Sequence, residues 1–245
     1  MDLKNITVLG SGIMGHGIAQ VSATAGYIVV LRDIEQGFLD KAMEKIKWSL
    51  DKLVSKGKMS QEEANSIYSR ITPIVSLAES VKNAQLVIEV VPEIMDLKKK
   101  VYAELDSVAN KDIFFASNTS TLPITEIANT TTRPKKFIGI HFFNPPQLMK
   151  LVEVIPGEKT SKETIDLTLE YVKSIKKESV VCRRDVPGFI INRLFIPMVH
   201  EACYLMDRTG ASLTEIDSAV KFKLGFPMGI FELADFTGMD VIHKA

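Results

Sequence analysis

The run Gly10-Ser11-Gly12-Ile13-Met14-Gly15 constrains this chain more than any other feature. It is a G-x-G-x-x-G turn that directly follows a short β-branched run and opens an apparent helix. The first glycine allows the tight turn, the second lets a pyrophosphate reach the backbone, and the third permits close helix–strand packing. The N–H groups of the helix N-terminus then face the phosphates. Gly10, Gly12, Ile13, Met14 and Gly15 are therefore cofactor-binding candidates. Glycine-rich turns are common, so context decides. Asp33 follows the next strand candidate, at the spacing where an acid binds the adenine ribose hydroxyls. Asp33 would repel a 2′-phosphate and so favours NAD over NADP, although Arg32 beside it tempers that preference.

The rest of the chain supplies the fold that this turn requires. Strand candidates are Ile6–Gly10, Tyr27–Arg32, Leu86–Val91, Ile113–Ser117, Phe137–Phe142, Leu151–Ile155 and Val180–Cys182. Most are continuous apolar runs, as expected for strands covered on both faces. Between them lie amphipathic segments; Leu39, Ala42, Met43, Ile46, Leu50, Leu53 and Val54 form one helical stripe. Ser60 with Glu63 and Ser76 with Glu79 have capping-box spacing and mark two further helix starts. Strand–helix alternation predicts an α/β fold, a Rossmann-type doubly wound parallel sheet, over residues 1–185. From Asp185-Val186-Pro187-Gly188 onward no strand pattern remains, which predicts a mostly helical second domain over 186–245. Phe189–Met206 and Leu213–Phe222 read as its helices, with Pro197 expected to kink the first or shift its boundary.

Composition excludes several classes. Thirty basic and thirty acidic residues balance, with no dominant basic face, which argues against a nucleic-acid partner. No apolar run approaches the roughly 20 residues that span a bilayer, and Met1-Asp2-Leu3-Lys4 leads straight into a strand rather than a signal peptide. Cys182 and Cys203 cannot form a disulfide framework, so a reducing cytoplasm is the expected location.

In an open α/β sheet, ligands bind outside the carboxyl ends of the strands. Those ends carry Asp33, Pro92-Glu93, Ser117-Asn118-Thr119-Ser120 and His141-Phe142-Phe143-Asn144-Pro145-Pro146. His141 breaks an apolar strand, and an imidazole suits proton transfer coupled to hydride transfer. Glu153 interrupts the run Leu151-Val152-Glu153-Val154-Ile155, and a glutamate is rarely buried in such a strand unless paired. Alone, His141 fits a hydrogen-bonded core histidine and Glu153 an edge-strand acid facing solvent. Together, beside a cofactor turn, they point to a pair in which the carboxylate orients the imidazole. His16, His200 and His243 have no metal-ligand spacing, and no metal site is expected.

With these residues in place, the chain resembles the 3-hydroxyacyl-CoA dehydrogenase family, including the 3-hydroxybutyryl-CoA dehydrogenases. The likeness lies in GSGIMGHGIAQ at 10–20, SNTSTLPITEIA at 117–128, HFFNPPQLMKLVEVIPG at 141–157, DVPGFIINRL at 185–194 and LGFPMGIFELAD at 224–235. The resemblance implies reversible NAD-dependent oxidation of an (S)-3-hydroxyacyl-CoA to the 3-ketoacyl-CoA. It implies that His141 is the catalytic base and Glu153 its acidic partner. Ser120 matches the serine that bonds the reacting oxygen, and Asn192 the asparagine of the second domain that completes the site. Glu93, Lys98 and Asn118 match cofactor-side positions. Ser49 and Lys56 match positions that meet the CoA moiety, and Asn144 is a further substrate-side candidate. Lys56 could equally belong to a solvated face with Lys45, Lys47, Lys52 and Lys58.

The family's pattern continues for several tens of residues beyond Ala245, through helices that build a subunit interface. The resemblance thus implies a truncated C-terminal domain here, a homodimer where that domain is complete, and a fusion with an enoyl-CoA hydratase as one setting. Two other functions stay open on the residues alone. One is an NAD-dependent dehydrogenase of a free hydroxy acid or sugar acid; the other is a non-catalytic NAD-binding module.

Overall fold

A computed structural model of the chain describes residues 3–238. It divides into two compact units, Met1–Val186 and Pro187–Ala245. The first unit runs β1 (Asn5–Leu9), α1 (Ile13–Thr24), β2 (Ile28–Arg32), α2 (Gln36–Ser55), α3 (Gln61–Ser69), β3 (Ile71–Ile74) and α4 (Leu77–Ser80). It continues with β4 (Leu86–Glu89), α5 (Met95–Val108), β5 (Phe114–Ser117), α6 (Ile124–Ala128), β6 (Phe137–Phe142), β7 (Leu151–Pro156), α7 (Lys162–Ser174) and β8 (Glu178–Val181).

The strands form one 8-stranded sheet in the order β3-β2-β1-β4-β5-β6-β7-β8. The chain winds from β1 outward to β3, then returns to the other side of β1 at β4. At that reversal the loops after β1 and β4 diverge, which opens the crevice used by ligands in doubly wound sheets. All neighbours are parallel except β6 and β7, which pair antiparallel with His141 directly opposite Glu153. The core is built from the apolar runs: Val8, Leu31, Ile88, Ile138, Ile140, Val152 and Val154 are all wholly inaccessible to solvent. Each such side chain contributes about 1.5–3 kcal/mol relative to exposure. Leu39, Ala42, Met43, Ile46 and Leu50 form the buried stripe of α2, as their spacing predicts.

The structure corrects the sequence reading at the sheet margins. β3 was not expected; it is four residues long and contains Pro73, which an edge strand tolerates because one row of its backbone groups needs no ladder partner. β8, at the other edge, begins at Glu178 rather than Val180 and is largely exposed, unlike the two-face-covered strands around it. β4 stops at Glu89, two residues short of the apolar run. Ser60 and Glu63 form the reciprocal capping box of α3, whereas Ser76 caps only the single-turn α4.

The second unit holds α8 (Ile191–Thr209), α9 (Leu213–Leu224) and α10 (Ile230–Thr237), with no strand among the described residues. α8 continues through Pro197, so no boundary falls there. Val199, Ala202, Ile216, Val220, Ile230 and Ala234 make its small core. α9 opens on the Ser212–Glu215 capping box, and the Asp217 carboxylate accepts from the first N–H groups of α10, at Phe231 and Glu232. The stretch from 239 to 245, with His243, lies outside the described residues.

Candidate active site

The glycine turn has the stereochemistry its spacing predicts. Gly10 has a φ of +100°, and a Cβ there would lie 2.7 Å from the Val90 carbonyl oxygen. A Cβ on Gly15 would stand 1.8 Å from the Gly10 carbonyl oxygen, so the first turn of α1 closes against the loop only because both residues are glycine. Gly12 differs: a Cβ there would meet nothing within 4 Å. Gly12 is also the N-cap of α1 and provides no side-chain cap, so the first N–H groups of the helix face this open space. An open cradle at a helix N-terminus fits a pyrophosphate. Ile13 is exposed and Met14 half-buried on the same turn.

Asp33 follows β2 and closes the turn from the side. Its Oδ2 accepts from the Ser11 backbone N–H at 2.7 Å and the Ser11 hydroxyl at 2.6 Å, while Oδ1 accepts from Ile34 N–H at 2.7 Å. A carboxylate held there presents negative charge beside the cradle and opposes a 2′-phosphate. Asp33→Ser is expected to raise the preference for NADPH over NADH by at least about tenfold, because like-charge juxtaposition costs several kcal/mol. Binding titrations with both nucleotides check this, and an unchanged ratio would remove Asp33 from the discriminating role.

A second group of polar residues gathers where β4, β5 and β6 end. Asn118 is 9% exposed and accepts the Phe142 N–H on its Oδ1 at 2.9 Å, tying the end of β5 to the end of β6. Glu93 Oε1 accepts from the Thr119 hydroxyl at 2.5 Å, from Ser120 N–H at 2.8 Å and from Thr121 N–H at 3.1 Å. Burial alone would raise the Glu93 carboxyl, but the Lys98 charge and these donors outweigh it and hold it below its ordinary value. Lys98 is only 1% exposed, with its ammonium 2.7 Å from Glu89 Oε1 and 3.4 Å from Glu93 Oε2.

His141 and Glu153 meet inside the sheet. The antiparallel register sets them opposite one another, and His141 Nδ1 lies 2.7 Å from Glu153 Oε2. Glu153 is fully buried and His141 is 5% exposed. An ionised carboxylate only accepts, so Nδ1 carries the proton, and in the neutral ring Nε2 keeps the lone pair. The Phe143 ring packs against the imidazole with centroids 4.5 Å apart. Asn144 is exposed in the following loop.

Ser49 and Lys56 lie on α2 and at its C-cap, away from this cluster in sequence. Ser49 accepts from Gln20 Nε2 at 3.0 Å, and Gln20 in turn accepts from Gln147 Nε2 at 3.2 Å, so α2 is linked through α1 to the loop after β6. Lys56 is exposed. Asn192 stands in the first turn of α8 in the second unit, half-buried there. His16 bonds the Gly12 carbonyl through Nδ1 at 2.7 Å, and His200 is exposed on α8. No cluster of metal-ligating side chains exists among the described residues.

Comparison with known proteins bears directly on this arrangement. Residues 5–186 match the NAD-binding domain of 3-hydroxyacyl-CoA dehydrogenase, and residues 188–245 match the C-terminal domain of the same family. The chain belongs to the 3-hydroxyacyl-CoA dehydrogenase family. It is 42% identical over 243 residues to the mitochondrial hydroxyacyl-coenzyme A dehydrogenase of Rattus norvegicus, covering 97% of this chain and 77% of the relative. It is 44% identical over 237 residues to the 3-hydroxybutyryl-CoA dehydrogenase of Clostridioides difficile, covering 97% of this chain and 84% of the relative. The crystal structure of (S)-3-hydroxybutyryl-CoA dehydrogenase from Ralstonia eutropha superposes with a TM-score of 0.96 at 35% identity, over 99% of this chain and 85% of that one. The eight-stranded, largely parallel sheet followed by helices is therefore the architecture of this dehydrogenase family.

Three polar residues of the site carry no assigned role in the sequence, although Ser11 lies in the glycine run and Ser117 at a strand end. Ser11 is the partner of Asp33; Glu89 and Ser117 form a buried pair at the ends of β4 and β5. The signal for Glu89 was present, an acid inside the apolar run Leu86–Val91, and was the same kind of signal that singled out Glu153.

Proposed function

We infer that this chain catalyses the reversible oxidation of an (S)-3-hydroxyacyl-CoA, such as 3-hydroxybutyryl-CoA, to the 3-ketoacyl-CoA with NAD. The observation that carries the reading is the buried His141–Glu153 pair, beside a dinucleotide cradle, in a member of this family. NAD, when bound, supplies the two-electron chemistry as acceptor or donor of the hydride at C3 of the substrate. The backbone of Gly10, Gly12, Ile13, Met14 and Gly15 would hold its pyrophosphate and Asp33 its adenine ribose. Glu93, Lys98 and Asn118 would border the nicotinamide half.

The protein's own part is alignment and proton transfer. His141 takes the 3-hydroxyl proton on Nε2 during oxidation and returns it during reduction. Glu153 fixes the ring through Nδ1 and stabilises the imidazolium that forms. Ser120 donates to the reacting oxygen, and its backbone is held by Glu93 for that task. Asn192 and Asn144 are assigned to the substrate side on their motifs. Ser49 and Lys56 are assigned to the CoA moiety, Lys56 as a point charge for its phosphates. A homodimer is the proposed assembly for the protein with the family's complete C-terminal domain. A reducing compartment such as the cytoplasm suits the two free cysteines, Cys182 and Cys203.

The test follows the loss of NADH absorbance with acetoacetyl-CoA and, separately, with free acetoacetate. Turnover of the thioester is expected, with kcat/KM for the free acid lower by at least about 10²-fold, because binding of the remote CoA group contributes to the rate. Equal efficiency with both would replace the CoA assignment by a free hydroxy acid. NADH binding with no turnover of either would point to a binding module.

A further inference from the structure

The catalytic reading leaves the buried carboxylate of Glu89 without a task. Glu89, the last residue of β4, is 0% exposed, and its carboxylate accepts from three donors. Lys98 Nζ and Val91 N–H each donate to Oε1 at 2.7 Å, and the Ser117 hydroxyl donates to Oε2 at 2.7 Å. Glu89 and Ser117 are also register partners, so the carboxylate ties the end of β4 to the end of β5. Tyr102, fully buried nearby, is pushed well above the ordinary phenol value, by burial first and then by the Glu89 charge, and stays neutral. A neutral phenol brings no charge, so Lys98, 2.7 Å away, is the countercharge to Glu89.

A buried ion pair is a poor device for stability alone, since desolvation offsets much of the attraction. What this one provides is a chain of fixed distances. Lys98 is anchored by Glu89 and by the Val91 carbonyl at 3.2 Å, and its ammonium stands 3.4 Å from Glu93 Oε2. The other oxygen of Glu93 receives the backbone N–H groups of Ser120 and Thr121 and the Thr119 hydroxyl. The path therefore runs from a solvent-free carboxylate inside the sheet to the main chain of the serine that meets the reacting oxygen. It crosses the strand ends at which a doubly wound sheet receives its ligand.

We propose that Glu89 is a positioning residue for the nicotinamide half of the site. Acting through Lys98 and Glu93, it fixes the 119–121 backbone. The proposal rests on the functional reading above, in which these strand ends border the nicotinamide. It adds a residue that touches neither cofactor nor substrate.

The test uses Glu89→Gln and, as a milder change that preserves the ion pair, Ser117→Ala. NADH affinity is measured by fluorescence titration and amide exchange at Ser120 and Thr121 without nucleotide, alongside the melting temperature. Glu89→Gln is expected to weaken NADH binding and to speed exchange at both amides by about tenfold each, the size of a lost charge-assisted bond. Ser117→Ala is expected to move both in the same direction by about threefold. In a Glu93→Gln background the further loss from Glu89→Gln should shrink, because the path is already cut. A melting temperature that falls while affinity and exchange stay within about twofold of wild type in both variants would overturn the positioning role. Failure of the wild-type chain to bind NADH would instead overturn the functional reading on which it rests.

Discussion

Replacing His141 with alanine lowers kcat for acetoacetyl-CoA reduction by about 10² to 10⁴-fold, the usual contribution of a positioned acid–base group. NADH affinity stays within about twofold of wild type, because the proposed role of the imidazole is toward the substrate oxygen and not the dinucleotide cradle. The structural reason for so large an effect is the quality of the pair. A 2.7 Å contact to a carboxylate with no solvent exposure fixes both ring orientation and tautomer. Among the described residues His141 is the one histidine that contacts a carboxylate in a hydrogen bond, whereas His16 bonds the Gly12 carbonyl. Steady-state kinetics combined with fluorescence titration separate the two quantities. A variant with wild-type kcat would mean that His141 is a structural histidine and that the proton moves elsewhere.

Gly15→Ala abolishes measurable NADH binding and lowers the melting temperature by roughly 5–15 °C, which corresponds to a loss of about 2–4 kcal/mol for a chain of this size. The added methyl would stand 1.8 Å from the Gly10 carbonyl oxygen, a backbone atom that no rotamer change can move aside. The first turn of α1 must therefore lift from the loop, and the N–H groups that form the cradle lift with it. Gly12→Ala is an instructive contrast, since its methyl enters open space. That variant should fold normally and lose only the approach of the pyrophosphate. Thermal melts and nucleotide titrations on both variants check the distinction, and a Gly15→Ala protein with wild-type NADH affinity would contradict it.

Much of this was legible in the residues because it depends on local rules. The glycine spacing, the position of Asp33, the buried stripe of α2 and the helical turn of the pattern after Pro187 each follow from periodicity or backbone sterics. The His141–Glu153 contact was legible only conditionally. Both residues broke apolar runs, but their meeting required β6 and β7 to pair in one particular register. β3 was hidden because four residues with a central proline carry almost no strand signal; pairing with β2 decides it. The contact that joins Glu89 to Lys98 and Ser117 was hidden for another reason, although each residue stood at a visible position. Lys98 lies nine residues from Glu89 and on a helix, and only the turn of the chain into α5 brings its ammonium to the end of β4. Long-range polar pairing of this kind leaves no period to read.

The antiparallel joint between β6 and β7 carries a consequence for how such a site can vary. The proposed proton-transferring pair is a cross-strand pair, so its geometry is inherited from the backbone ladder and not from the connection spanning 143–150. Beyond Phe143, whose ring packs on the imidazole, the connection does not set the ladder register that brings the two side chains together. A single-residue insertion between Phe137 and His141 is a different matter, because it would turn the imidazole to the opposite face of the sheet. The His141–Glu153 contact is thus locked in the hydrogen-bonded frame of the sheet.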